Sequence, residues 1–282
     1  MSNTQTVADL APATRYAQRD GVRLAWAALN EQGRGLPLVM VMGLGGVKED
    51  WRHLAPALAQ DRPVLIQDNR GMGESDVPEG PYDMEMLARD VYALMDAAGW
   101  QRAHLMGISM GGMIAQTMAV LEPGRCERLV LGCTSHGGRG QVPASREVLA
   151  KLDPQPGRDA EEVVRDLLRV NYTEQWLREN PDRFESLVVE RFRYTRRVRG
   201  IEAQLAAIRG FDVEHRIGDL PHETLVLHGT DDILIPFANA RLILQKIPRA
   251  RLHPLPGCGH LFWDMDGGAS ITAIREFLED AG

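Results

Sequence analysis

Short runs of apolar residues alternate along this chain with longer stretches in which apolar residues recur every three or four positions. A short run of Val, Ile and Leu is typical of a strand buried on both faces, and the longer spacing is typical of an amphipathic helix. Residues 22–29 instead alternate like a strand with one solvent-exposed face. This succession predicts a mostly parallel sheet that is covered by helices.

The same pattern predicts the bounds of individual elements. Buried parallel strands are predicted at residues 38–42, 63–67, 104–108, 129–131 and 225–228, with a late strand at 252–255. Helices are predicted at residues 84–98, 110–121, 238–247 and 270–278. Each of these helices follows a strand, so the helices are expected to pack against the faces of the sheet.

The strand pattern stops between His136 and Leu220, where the chain becomes polar, arginine-rich and helical. This stretch begins in a Gly- and Pro-rich segment, and the strand pattern resumes at Leu225. We therefore predict a sheet domain in two parts, residues 1–136 and 221–282, interrupted by a helical cap at residues 137–220 after the sixth strand. Because open α/β sheets bind ligands at the carboxyl edge, the cap is expected over that edge.

Composition and charge exclude several classes of partner. The 282 residues are 44% hydrophobic and 25% charged, as in an average globular protein. A net charge of −7 gives no attraction to nucleic acid or to an anionic membrane. No secretory signal is seen in residues 1–16, no apolar stretch reaches about 18 residues, and three cysteines are too few for a disulfide framework. We expect a cytoplasmic protein.

The strongest chemical signal is the segment Gly107-Ile108-Ser109-Met110-Gly111-Gly112, at the junction of a predicted strand and a predicted helix. A serine in such a turn takes a strained backbone conformation that directs its hydroxyl out of the sheet. Glycines are needed on both sides because the strand and the helix pack too closely for a Cβ atom. The helix begins at the serine, so its free N–H groups face a developing oxyanion. Ser109 is the candidate nucleophile, and a chance match in a loop is the alternative.

At these residues the chain resembles the α/β-hydrolase superfamily, of the serine esterase and lactonase type. The segment Met42-Gly43-Leu44-Gly45-Gly46 resembles the oxyanion loop of that family, and residues 68–76 resemble its next loop. The resemblance implies that the backbone N–H groups of Leu44 and Met110 form the oxyanion hole. Many relatives have histidine where Met42 stands, a residue that supports the loop and performs no chemistry.

A serine nucleophile needs a general base, and histidine serves well near neutral pH. Of the eight histidines, only His260 follows a late strand, in a Gly-His pair that resembles the family signature before the last helix. An acid must orient the histidine, and the loop after residues 225–228 offers Asp231 and Asp232. The spacing in relatives selects Asp232 over Asp231, and the order Ser109, Asp232, His260 is the one expected for this fold.

The predicted cap bears on substrate choice, because a triad and an oxyanion hole are generic to acyl transfer. It contains a basic run made of Arg191, Arg193, Arg196, Arg197 and Arg199. One or two of these arginines could clamp a substrate carboxylate, but we favour a solvated helix face paired with Glu185 and Glu190. Its large apolar residues either roof the pocket or form the core of the cap: Trp176, Phe184, Phe192, Tyr194 and Leu205. We expect Gly43, Trp176 and Tyr194 to contact the substrate.

The resemblance implies a hydrolase that cleaves a carboxylic ester or lactone of a small to medium metabolite through an acyl-enzyme. Parts of the chain are similar to 3-oxoadipate enol-lactonases and to polyketide-pathway methylesterases. Carbon–carbon bond hydrolases have the same triad but commonly have asparagine where Ile108 stands. A non-catalytic ligand-binding protein on this fold is the third hypothesis, and a homodimer is left open. We expect no cofactor and no metal, since neither a nucleotide-binding glycine motif nor ligand spacing is present.

Overall fold

The computed structural model describes residues 12–152 and 157–279, and a sheet of eight strands lies at the centre of these residues. The strands are β1 Arg15–Arg19, β2 Val22–Leu29, β3 Leu38–Val41, β4 Val64–Gln67, β5 Ala103–Ile108, β6 Cys126–Gly132, β7 Glu223–Gly229 and β8 Ala250–Leu255. Their order across the sheet is β1-β2-β4-β3-β5-β6-β7-β8. The first two strands run antiparallel to their neighbours, and all pairs from β4 to β8 are parallel. The predicted mostly parallel sheet is confirmed.

Burial along the strands agrees with the hydrophobic pattern. All residues of β3, β4 and β5 are buried, as an uninterrupted apolar run predicts for the inner strands of a parallel sheet. Strand β1 was not predicted, because this edge strand is mostly exposed and has only Tyr16 and Ala17 as apolar residues. Residues 1–11, on which most of the expectation about a secretory signal rests, lie outside the described residues.

Helices cover both faces of the sheet. They are α1 Ala55–Leu58, α2 Met84–Ala97, α3 Met110–Leu121, α4 Arg146–Leu152, α5 Ala160–Asn171, α6 Glu174–Glu179, α7 Pro181–Arg193, α8 Val198–Arg209, α9 Ala238–Lys246 and α10 Ala269–Glu279. Buried side chains of α2, α3 and α9 form one apolar cluster with the sheet, and those of α1 and α10 form a second. No helix of the described ranges combines the length and the apolar character that a membrane crossing requires.

Helices α4 to α8 lie between β6 and β7, and we call them the inserted helices. Helices α5 and α7 share an apolar cluster made of Leu168, Tyr172, Phe184, Leu187 and Val188, against which Leu261 and Met265 also pack. The chain leaves the sheet domain beside the point where it returns: the N–H of Gly138 donates to Phe211 O (3.2 Å), and the N–H of Val213 donates to His136 O (3.1 Å). Phe211, Val213 and Leu220 pack in the larger sheet cluster, together with Ala203 and Ala207 of α8.

Candidate active site

Ser109 lies on a sharp turn between β5 and α3, as its sequence context predicted. Its backbone has φ 58° and ψ −124°, a conformation that costs a non-glycine residue about 1–3 kcal/mol. An ideal Cβ at Gly107 would lie 2.0 Å from Gly111 O, and one at Gly111 would lie 2.0 Å from Val41 O. Both glycines are therefore required by the close approach of strand and helix.

Bonds from the neighbouring strand hold this turn in place. The N–H of Ser109 donates to Gly132 O at the end of β6 (2.9 Å), and the hydroxyl of Thr134 donates to Ser109 O (2.8 Å). The side chain of Thr134 also packs against Gly112, where an ideal Cβ would lie 2.7 Å from the threonine Cβ. The sequence analysis did not identify Thr134, since a hydroxyl at the end of a strand has no distinctive signature.

His260 and Asp232 form a buried pair beside this edge of the sheet. His260 Nδ1 lies 2.8 Å from Asp232 Oδ2, and both residues are almost fully buried. The other carboxylate oxygen accepts the N–H groups of Leu234 (2.8 Å) and Ile235 (2.9 Å). Burial alone would raise the pKa of Asp232, but His260 and His228 hold this pKa well below its usual range. The carboxylate is therefore ionised and fixed in orientation.

His228 supports the loop that bears the acid. Its Nε2 lies 2.7 Å from Ile235 O, a carbonyl that can only accept, so this nitrogen carries the proton. The same nitrogen lies 3.4 Å from Asp232 Oδ2. Asp231, the alternative acid, is exposed, and its carboxylate accepts the hydroxyl of Thr230 at 2.8 Å. The structure therefore brings Asp232, and not Asp231, into contact with His260.

Two buried cysteines lie near this pair, and burial raises the pKa of both thiols. Cys133, His228 and Asp232 offer a sulfur, a nitrogen and an oxygen within 4.8 Å of one another. Burial raises the pKa of the Cys133 thiol well above its usual range, which opposes the thiolate that a metal needs, and Asp232 is already bonded to His260. Cys258 is buried, its thiol donates to Pro256 O (3.7 Å), and burial raises its pKa to about 11.

Residues 42–46 after β3, which we call the glycine loop, pass directly over the turn that bears Ser109. An ideal Cβ at Gly43 would lie 3.0 Å from Ser109 Cβ, so a side chain at this position would crowd the serine. The N–H of Gly46 donates to Gly43 O (3.1 Å) and closes a tight turn. Within the described residues, hydrogen bonds use the N–H groups of Gly45 and Gly46 but not that of Leu44. The N–H of Met110, at the first position of α3, has no acceptor within its helix.

The loop after β4 holds the glycine loop in place through side-chain hydrogen bonds. The side-chain amide of Asn69 donates to Met42 O (2.9 Å), a contact that the sequence analysis did not predict. The buried carboxylate of Asp68 accepts the backbone N–H groups of Lys48 (2.7 Å) and Glu74 (2.9 Å). Burial would lower the pKa of the Lys48 ammonium, but the carboxylates of Asp68, Glu74 and Glu49 raise it. Two loops at this edge are thus tied together.

The arginine run does not behave as one solvated face. Arg196 donates two bonds to Asp50 (2.7 and 2.9 Å) and a third from Nε to Gly45 O (3.0 Å), and Arg191 lies 3.4 Å from Asp50. The favoured interpretation, with Glu185 and Glu190 as partners, is therefore wrong for these two arginines. The acid Asp50 precedes them by more than 140 residues, which no local pattern reveals. The other three, Arg193, Arg197 and Arg199, are exposed.

The residues expected to contact substrate have different surroundings. Gly43 adjoins Ser109, as described above. Trp176 stacks on Tyr172 with ring centroids 4.3 Å apart, and its indole N–H donates to Asp264 O (3.2 Å), so packing among the inserted helices already explains its position. Tyr194 follows α7 and keeps 37% of its surface exposed. Of the other apolar residues, Phe184 and Leu205 are buried and Phe192 is exposed.

Comparison with known proteins identifies the family. The family model described as "alpha/beta hydrolase fold" matches residues 37–264. The chain is 30% identical to a 2-hydroxy-6-oxo-6-phenylhexa-2,4-dienoate hydrolase of Comamonas testosteroni, over 82% of this chain and 83% of that protein. It is also 30% identical to a 2-hydroxymuconate semialdehyde hydrolase of Pseudomonas sp. (strain CF600), over 90% of each.

Among solved structures, the enol-lactonase of Burkholderia xenovorans LB400 superposes with a TM-score of 0.84 at 25% identity, over 94% of this chain and all of that one. These relatives are hydrolases with different named substrates, and each matches most of this chain. The chain belongs to the α/β-hydrolase fold family and is a hydrolase.

Proposed function

We propose that this protein is a serine hydrolase that cleaves a carboxylic ester or lactone of a small to medium metabolite through an acyl-enzyme intermediate. The observation that carries the proposal is the buried 2.8 Å contact between His260 and Asp232, at the sheet edge where Ser109 turns into α3. Nucleophilic acyl transfer requires an oriented imidazole and a serine nucleophile, and both lie at this edge of the sheet.

In the proposed reaction, Ser109 Oγ attacks the carbonyl carbon of the substrate while His260 takes the hydroxyl proton. The resulting oxyanion accepts hydrogen bonds from the N–H groups of Leu44 and Met110. His260 then gives its proton to the departing alkoxide, and an acyl group remains on Ser109. Water attacks this acyl-enzyme with His260 again as base, which releases the acid product and restores the serine. Asp232 holds the imidazole in orientation and stabilises its positive charge.

We propose that the region around the inserted helices, predicted as a cap over residues 137–220, selects the substrate. Helix α8 and the segment before it reach the glycine loop through Arg196 and Gln204, which supports a position over the carboxyl edge. Roles for Gly43, Trp176 and Tyr194 as substrate contacts and a cytoplasmic location are further parts of the proposal, and a homodimer is left open.

Carbon–carbon bond hydrolysis is the second candidate, and two of the relatives favour it. Two proteins at 30% identity are named as hydrolases of a phenylhexadienoate and a muconate semialdehyde. The isoleucine at position 108, where such hydrolases commonly have asparagine, supports the ester or lactone assignment instead. Both reactions would use the same triad and release a carboxylate product. Product analysis must therefore determine which bond is cleaved.

A substrate panel tests the proposal directly. Purified protein would be given nitrophenyl esters, lactones of increasing ring size and a 2-hydroxy-6-oxo-hexa-2,4-dienoate, with Ser109→Ala as control. The proposal expects ester or lactone turnover that is lost in Ser109→Ala. Turnover of the dienoate alone would establish the second candidate. No turnover of any substrate, together with no labelling of Ser109 by a fluorophosphonate, would indicate a ligand-binding protein.

A further inference from the structure

Helix α8 reaches the glycine loop through a fully buried glutamine, Gln204. Its side-chain oxygen accepts the N–H of Gly45 (3.0 Å), and its side-chain amide donates to Arg70 O (2.9 Å). Gln204 has no solvent-exposed surface, and both ends of its amide are used. One side chain from the inserted helices therefore joins the loop after β3 to the loop after β4.

A second contact from the inserted helices binds the carbonyl group of Gly45. Arg196 Nε donates to Gly45 O (3.0 Å), while the guanidinium is anchored on Asp50. The peptide groups before and after Gly45 are thus both held from the inserted helices. Gly45 has φ +65°, so the turn also needs a residue without a side chain at this point.

The whole segment from Thr195 to Gln204 docks closely on these loops. The N–H of Gly73 donates to Thr195 O (3.0 Å), and Met72 forms an antiparallel bridge with Arg196. An ideal Cβ at Gly200 would lie 2.1 Å from Gly71 O, so backbone packs directly on backbone. Such packing leaves little room for the glycine loop to move independently of α8.

From these contacts we infer that Gln204 is a positioning residue for the oxyanion hole, and this inference rests on the proposed function. Leu44, the proposed donor, is the residue before Gly45 in the same tight turn. With the Gly45 N–H committed to Gln204 and the Gly46 N–H to Gly43 O, the N–H of Leu44 is left for the substrate. The oxyanion hole is therefore complete only when the inserted helices are docked on the glycine loop.

The test compares Gln204→Met with Arg52→Gln. The first variant keeps a side chain of similar length but loses both hydrogen bonds. The second removes the ion pair between Arg52 and Glu190, which also joins the inserted helices to the sheet domain but does not touch the glycine loop. Should Gln204→Met fail to fold, Arg196→Lys keeps a cation beside Asp50 while it removes the Nε donor to Gly45 O.

Measurements would be kcat and KM, inhibition by an aryl boronic acid that forms a tetrahedral adduct on serine, and hydrogen exchange of the amides at residues 43–46. The inference expects Gln204→Met to lower kcat by roughly 10- to 100-fold with KM within about threefold, because a donor displaced by a fraction of an ångström fails mainly in the transition state. Boronate affinity should fall in parallel, and amide exchange at residues 43–46 should be faster than in Arg52→Gln.

Equal kinetics, boronate affinity and exchange in the two variants would overturn the inference. Failure of the proposed function is a separate result: the wild-type protein would then neither turn over esters or lactones nor bind the boronate. In that case hydrogen exchange decides alone, since slow exchange at residues 43–46 in Gln204→Met would show that Gln204 does not hold the loop.

Discussion

Adjacent carboxylates at positions 231 and 232 differ entirely in their surroundings. Asp232 is buried, accepts two backbone N–H groups and contacts His260, whereas Asp231 is exposed and accepts the hydroxyl of Thr230. A shift of one residue in this loop would exchange the two environments. The identity of the acid therefore depends on the loop geometry that His228 and the N–H groups of Leu234 and Ile235 maintain.

We predict that Asp232→Asn lowers turnover by about 10⁴-fold, because an amide favours the wrong imidazole tautomer and leaves the imidazolium unpaired. Asp231→Asn is the matched control and should stay within a few-fold of the wild type. Both would be measured as ester turnover by proteins with unchanged circular dichroism. A larger loss in Asp231→Asn would reverse the assignment, and a small loss in both would place the acid elsewhere.

The residues identified from sequence are those whose chemistry demands a local pattern. Ser109 lies between glycines that a tight strand-to-helix turn requires, and His260 follows a glycine after a late strand. Gln204 and Asn69 escaped prediction because their partners are 159 and 27 residues away, and a local motif such as the loop at residues 68–76 does not specify such partners. Local sequence specifies turns, but it does not specify which distant backbone groups a side chain will satisfy.

At the scale of secondary structure, the β5–α3 junction depends on two glycines, Gly107 and Gly111, that close packing requires. Gly107 and Gly111 adopt ordinary negative φ angles, so their requirement is space, not conformation. Gly124 lies between α3 and β6 and has no atom within 4 Å of an added Cβ. Comparing alanine at Gly107 with alanine at Gly124 therefore separates the effect of close packing from the general effect of replacing glycine by alanine.

We predict that Gly107→Ala destabilises the protein by several kcal/mol or prevents folding, because its methyl group would meet the Gly111 carbonyl and displace α3 from β5. Gly124→Ala should change the free energy of unfolding by no more than about 1 kcal/mol, since the added Cβ has open space. Urea unfolding of both variants checks this. Equal stability of the two would show that the junction relaxes freely.

The hydrophobic pattern predicted the inner strands well and the edge poorly. Strands β3, β4 and β5 are buried on both faces and read as apolar runs, whereas β1 is held by backbone pairing to β2 and needs few apolar side chains. The inserted helices were predicted only as a helical region. Their partners on the glycine loop and Asp50 follow from tertiary packing, which residue spacing does not contain.

Across the whole molecule, the parallel order from β5 to β8 brings three distant segments to one edge. Ser109 follows β5, Asp232 follows β7 and His260 follows β8, so all three lie at one edge of the sheet because parallel strands end together. The central sheet also contains a histidine, His104, among its buried residues. This β5 histidine is buried, and its Nδ1 has no hydrogen-bond partner among the described residues.

We predict that the wild type loses stability more steeply than His104→Leu as the pH falls below 6.5. Burial, assisted by nearby arginines, lowers the pKa of His104 from 6.5 to about 3. The unfolded chain then binds a proton that the folded chain excludes, so this contribution is complete above pH 6.5 and is lost toward pH 3, by about 1.4 kcal/mol per pH unit. Urea unfolding at pH 7.5, 6 and 5 measures the difference, and parallel curves for the two proteins would refute it.

Covalent trapping of the nucleophile tests the central claim most directly. A fluorophosphonate reacts only with a serine that is activated by a base and supported by an oxyanion hole. Intact mass and peptide mapping of the wild-type protein should show one adduct, on Ser109, and Asp232→Asn should react far more slowly. Ser109→Ala should take no adduct and should lose ester turnover by roughly 10³-fold or more. An adduct on another residue, or turnover in folded Ser109→Ala within tenfold of the wild type, would contradict the account.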